Sequence, residues 1–165
     1  MSELALSTEH EYLSFIVGRE EFGVDILSVQ EIRVWSTVTE IPNTPPYLKG
    51  VINLRGVIVP IIDLRQRFST GQYEYDETTV VIVLQTAMSQ AKSLIGIVVD
   101  AVADVHKVEV SSIKPAPYLG NHIDSEFIKG MSTIDEKIIV LLDVQKLLDV
   151  EALFDAAETP SIQAV

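Results

Sequence analysis

The chain has 165 residues, 47% of them hydrophobic, and its 24 acidic and 12 basic side chains leave a formal net charge of −12. That length suits one domain or two small lobes on a shared core, and the charge disfavours nucleic acid and anionic membrane surfaces as partners. The lack of cysteine excludes disulfides and thiolate chemistry. The N-terminus has neither part of a signal peptide, and no apolar run nears the ~20 residues of a membrane span, so a soluble intracellular protein is expected.

Residues 1–9 and 158–165 are polar or small and read as flexible tails around a domain at 10–157. Tyr12–Val17 predicts a strand ended by Gly18, and Gly23–Leu27 its hairpin partner. Val29, Ile32 and Val34, interrupted by Glu31 and Arg33, predict a further strand. Trp35 beyond it is either the lid of a barrel end or an exposed contact residue. Pro42, Pro45 and Pro46 fix φ and exclude regular helix. Two apolar runs then follow, Val51–Leu54 and Val57–Ile62, joined by Arg55-Gly56, which predicts a β-hairpin whose Gly56 takes a conformation that other residues resist. Asp63 is placed to cap a short helical turn, Leu64–Phe68.

Ser69–Glu77 reads as a linker, and Thr78–Leu84 as a strand buried on both faces. Gln85–Lys92 is a loop and Ser93–Val99 the returning strand. Ala101 to Val110 alternates apolar with charged residues, a strand with one solvated face. Pro115–Ser125 forms a second proline-containing connection. A second hairpin turns near Asp135-Glu136-Lys137, and Asp143 opens a longer C-terminal helix whose apolar face docks on the body.

The second half repeats the first. Gly50 recurs eighty positions on as Gly130, Ile61-Ile62-Asp63-Leu64 as Leu141-Leu142-Asp143-Val144, and Tyr47-Leu48-Lys49-Gly50 as Phe127-Ile128-Lys129-Gly130. Upstream the spacing is seventy-three, pairing Gly23 with Gly96, Val29 with Val102 and Glu31 with Asp104. The expected fold is all-β, with two lobes at about 10–70 and 78–157 built from this internal duplication.

Nothing in the pattern generates catalysis. His10, His106 and His122 are scattered without metal spacing, and the glycine-rich phosphate loops and the Gly-x-Ser-x-Gly elbow are missing. Helix capping accounts for Asp63 and Asp143, and Asp25 and Asp100 would meet only by accidental proximity. The expectation is a monomer without cofactor or metal. A hydrolytic or small-ligand double barrel is the competing class. Arg55 is either a solvated hairpin charge or a guanidinium offered to a partner carboxylate, and Glu31 carries the same two readings.

Together these residues resemble the CheW-like family of chemotaxis coupling proteins. The resemblance spans about 10–154 and rests on Phe-Gly-Val-Asp-Ile-Leu-Ser-Val-Gln-Glu-Ile-Arg (22–33), Pro-Asn-Thr-Pro (42–45), Lys-Gly-Val-Ile-Asn-Leu-Arg-Gly-Val-Ile-Val-Pro-Ile-Ile-Asp-Leu-Arg (49–65), Gly-Ile-Val-Val-Asp-Ala-Val-Ala-Asp-Val (96–105) and Ile-Lys-Pro-Ala-Pro (113–117). It implies two intertwined five-stranded SH3-like barrels with short helices and a C-terminal helix. It also implies a non-catalytic adaptor in the cytoplasm, recruited to membrane-associated receptor arrays. The implied partners are the cytoplasmic tip of methyl-accepting chemoreceptors and the CheW-like regulatory domain of the histidine kinase CheA. A scaffold of another, non-flagellar chemosensory pathway is the alternative. Carried over residue by residue, the coupling surface is Val29, Glu31, Ile32, Gly50, Arg55 and Val102. Lys114 and Leu119 match a surface for kinase contact, with Leu119 standing where relatives commonly have an aromatic.

Overall fold

Tight turns and apolar alternation set the elements. The computed structural model of the chain describes residues 9–68, 74–86, 93–115 and 127–148. Strands β4 (Leu48–Leu54) and β5 (Val57–Asp63) form the expected hairpin, and both turn residues have positive φ, 50° at Arg55 and 88° at Gly56. That is the two-residue turn whose twist matches its strands. Strands β9 (Ile128–Ile134) and β10 (Lys137–Leu142) repeat it, with Asp135 at 51° and Glu136 at 67°. The remaining strands are β1 (Glu9–Val17), β2 (Glu20–Asp25), β3 (Val29–Val34), β6 (Val80–Thr86), β7 (Ser93–Val99) and β8 (Ala101–Glu109).

Several boundaries differ from expectation. β1 already starts at Glu9, inside the segment read as tail, because it pairs with Glu109 at the far end of β8. β2 stops at Asp25, whose carboxylate accepts from Leu27 N and turns Ile26–Ser28 into a single 3-10 turn. β6 runs on to Thr86, held by its ladder to β7. Helix α1 (Leu64–Arg67) is capped by Asp63, which accepts from Arg65 N. Helix α2 (Val144–Leu148) follows Asp143, which accepts from Lys146 N. The expected continuation of that helix, the tail from 158 and most of Pro115–Ser125 lie outside the described residues.

The strands form two five-stranded sheets, ordered β8-β1-β2-β10-β9 and β3-β6-β7-β5-β4. Replacing each strand by its repeat turns one order into the other. The registers match too: Leu141 lies opposite Gly23 in the parallel pair β10–β2, and Ile61 opposite Gly96 in β5–β7. Each sheet closes on itself. Beyond β3, Thr39 pairs with Val51 of β4, and beyond β8, Lys114 pairs with Met131 of β9. At Gly50, φ is 151° and an added Cβ would run into the Thr39 carbonyl, so this closure requires glycine.

The barrels are not the sequence halves 10–70 and 78–157. One sheet joins β1 and β2 to β8, β9 and β10, and the other joins β6 and β7 to β3, β4 and β5. The chain leaves β2 through the turn at Asp25, so each half lends its first hairpin to the barrel of the other.

Burial follows this exchange. Leu54, Val59, Ile61, Val81, Val83 and Val98 fill one barrel, and Tyr12, Val108, Ile139 and Leu141 the other. The opposite faces of both sheets meet in one shared core, including Phe15, Phe22, Ile62, Phe68, Ile82, Ile97 and Leu142. β6 is thus buried on both faces, as its uninterrupted apolar run predicts.

Candidate functional site

The residues singled out in the sequence lie mainly on the two equivalent edge strands, β3 and β8. Along β3 the side chains alternate between half-buried and exposed. Val29 packs against the shared core, whereas Ile32 is 45% exposed and Val34 69%. Val102, the counterpart of Val29 on β8, is likewise half-buried against that core.

Glu31 and Arg55, twenty-four residues apart, meet. Arg55 Nη2 donates to Glu31 Oε1 at 2.8 Å, and Arg33 Nε lies 3.6 Å from Glu31 Oε2. The pair spans the seam where the edge strand β3 approaches the β4–β5 turn. Asn53 Oδ1 accepts from Gly56 N at 2.8 Å and braces that turn. The Arg55 side chain remains 68% exposed and that of Glu31 26%. Neither sequence reading anticipated that these charges are each other's partner. The other barrel does not repeat the pair, since Asp104 and Asp135 stand at the corresponding positions.

Gly50 has a structural reason to be glycine in the seam just described. Lys114 belongs to the other sheet's seam, its backbone exchanging two 2.8 Å hydrogen bonds with Met131 and its side chain exposed. Leu119 lies outside the described residues. Trp35 is half-buried against the barrel interior, with its ring 4.3 Å from that of Tyr75, as a lid would be.

A second cluster escaped the sequence reading. The side chain of Arg65 is buried at 1% exposure, and its Nε and Nη2 donate to Asp63 Oδ1 and Oδ2 at 3.0 Å each. Its Nη1 donates to the Glu74 carbonyl at 2.7 Å and to Asp100 Oδ1 at 3.0 Å. Tyr75 OH donates to Asp63 Oδ2 at 2.9 Å. Burial opposes the guanidinium charge, yet the hydrogen bonds and charges of Asp63 and Asp100 raise its pKa above the ordinary arginine value. Burial, then the Asp63 charge and hydrogen bond, raise the Tyr75 phenol as well. Asp100 therefore answers a cation, where the sequence reading considered only a chance pairing with Asp25. The available signal was Asp63-Leu64-Arg65 itself, an acid and a base two residues apart directly after a buried strand.

Among the described residues no three His, Asp or Glu side chains converge as metal ligands, and no helix is long and apolar enough to cross a membrane. His106 Nε2 lies 3.8 Å from Glu21 Oε2, both side chains being half-buried.

Two interlocked five-stranded barrels with a charged pair and apolar residues open on an edge strand define a scaffold of the SH3-like double-barrel class. The chain belongs to the CheW-like domain family, whose model matches residues 11–152. It is 47% identical to the chemotaxis protein CheW of Klebsiella aerogenes over 154 residues, 93% of this chain and 90% of that one. It is 36% identical to the probable chemotaxis protein CheW of Rhizobium etli, covering 92% and 91%. Among solved structures, the scaffolding protein TtCheW from Thermoanaerobacter tengcongensis superposes with a TM-score of 0.73 at 32% identity, covering 82% of this chain and 84% of that one. Membership of this family makes the chain an adaptor of chemotaxis signalling.

Proposed function

We propose that this adaptor joins the cytoplasmic tips of methyl-accepting chemoreceptors to the CheW-like regulatory domain of CheA, without catalysing a reaction itself. The observation that carries this reading is the exposed Glu31–Arg55 pair beside Ile32 and Val34 on the edge strand β3. The guanidinium and carboxylate orient a protein partner from one face of the strand, and the exposed Ile32 and Val34 add apolar contact area on its other face. Val29, Ile32 and Val102 supply the apolar part of the receptor contact, and Lys114 with Leu119 a separate kinase contact. Gly50 acts indirectly, by keeping the seam behind Val51 closed. The adaptor works as a cytoplasmic monomer gathered into receptor arrays, and its charge of −12 keeps it off nucleic acid.

Reconstitution tests this. Receptor, kinase and the metal-free chain are combined at fixed ionic strength, and kinase activity is followed as the adaptor is titrated. Kinase activity that rises with adaptor only when receptor is present supports the reading. Activity indifferent to the adaptor refutes it.

A further inference from the structure

The cluster around the buried Arg65 reaches the residue that follows β3 and the residue that precedes β8, the two strands assigned above to partner contact. Tyr75, hydrogen-bonded to Asp63 and lying under the Arg65 guanidinium at 4.9 Å, stacks on Trp35, the first residue beyond β3. Trp35 N also donates to the Thr79 carbonyl at 3.0 Å, so the segment carrying Tyr75 is fastened to the end of β3. On the other side, Asp100 is the single residue between β7 and β8. It accepts from Arg65 through Oδ1 and from Gly18 N, at 2.7 Å, through Oδ2. The guanidinium therefore links the end of β3 in one barrel to the start of β8 in the other, alongside Thr78, whose Oγ1 donates to the Asp100 carbonyl at 3.0 Å.

The duplication shows that the fold itself does not call for this cluster. In the second half Gln145 stands at the position of Arg65. Leu27, 82% exposed, stands at the position of Asp100. The same strand order and registers form there around different residues, so the Arg65–Asp100 ion pair has no counterpart at those two positions.

We propose that Arg65 is a positioning residue for the coupling surface, setting β3 and β8 relative to one another through Tyr75 on one arm and Asp100 on the other. The proposal rests on the assignment of β3 and β8 to partner contact. A tie of this kind needs no contact with a partner, because what it fixes is the spacing of Val29, Glu31 and Ile32 from Val102. The buried guanidinium resists small displacements, since leaving either carboxylate weakens the compensation of its charge, although Asp100 and Tyr75 themselves stay partly open to water.

Removing Arg65 would strand the buried Asp63 carboxylate and endanger folding, so the arms are cut instead. Tyr75→Phe removes one hydroxyl bond, and Asp100→Asn one charge. Amide NMR spectra of the isolated chain are compared with kinase activation in the receptor–kinase mixture. The expected result is crossed: Tyr75→Phe shifts the amides of Ala101 and Val102, and Asp100→Asn those of Val34 and Trp35. Each variant lowers kinase activation about threefold or more at an almost unchanged melting temperature, and the double variant loses no more than the weaker single. Shifts confined to the neighbours of each substitution overturn the proposal, as does an additive loss in the double variant. Crossed shifts with undiminished activation overturn it too. A wild-type chain that never activates the kinase instead refutes the coupling assignment, and the crossed shifts then still decide whether Arg65 ties the two strands.

Discussion

Exchanging the charges of Glu31 and Arg55 separates their service to the fold from their service to a partner. The pair is 2.8 Å long but open to water, so it contributes only ~0–1 kcal/mol to stability. Arg55→Glu removes that term and sets two carboxylates against each other, which adds about 1 kcal/mol at such a separation in water. The total, ~1–2 kcal/mol, lowers the melting temperature by roughly 2–8 °C in a chain of this size and leaves it folded. A residue at the centre of an interface loses ~2 kcal/mol or more of binding, about thirtyfold in affinity, and charge reversal adds repulsion. Arg55→Glu and Glu31→Arg are therefore each expected to remain folded and to lose most receptor-dependent kinase activation. The double exchange restores the internal pair and the melting temperature while presenting a reversed field. It should stay inactive. The assay is the reconstituted mixture at fixed ionic strength, because exposed charge contacts weaken with salt. Recovery of activation by the double exchange would falsify the reasoning, since it would show that only the internal pair matters.

Ile61→Ala and Leu141→Ala, both at 0% exposure and at equivalent barrel positions, should each cost ~2–5 kcal/mol in denaturant unfolding. Wild-type midpoints in either would contradict the register. Glu136, at φ 67°, occupies a turn position filled by Gly56 in the other hairpin. Glu136→Gly should raise stability by about 0.5–1 kcal/mol, read as a higher melting temperature. Tyr75 has its phenol pKa raised in the folded state. Its stabilising contribution is therefore full below the unfolded phenol value, ~10, and is lost as pH climbs through the folded one. Phenolate absorbance through the ordinary tyrosine range should be the same in Tyr75→Phe as in wild type. A variant that lacks one phenol's rise in that range would show Tyr75 to be unperturbed.

Local chemistry made much of the fold readable. Arg55-Gly56 between two apolar runs announces its hairpin, Asp63 its helix cap, and Val80–Leu84 its burial on both faces. The strand exchange was hidden because nothing in β2 states that its parallel partner, β10, lies more than a hundred residues away. The site was readable as residue types but not as geometry. Glu31 and Arg55 are each ordinary surface charges until barrel closure brings them together. Arg65 was readable only as part of a short helical turn after Asp63, and only the tertiary fold brings its buried guanidinium to Asp63 and Asp100.

The exchange of hairpins also orders events at the ribosome. β1 and β2 are made first, yet their barrel lacks β8, β9 and β10 until residue 142 has been synthesised. The other barrel, β3 to β7, is complete in sequence by Val99 and can close while the chain is still growing. Until residue 142 has been made, Phe15 and Phe22, fully buried at the end, have no finished sheet around them. The nascent chain thus carries an unpaired apolar hairpin through most of its synthesis, the kind of exposed edge that chaperones meet.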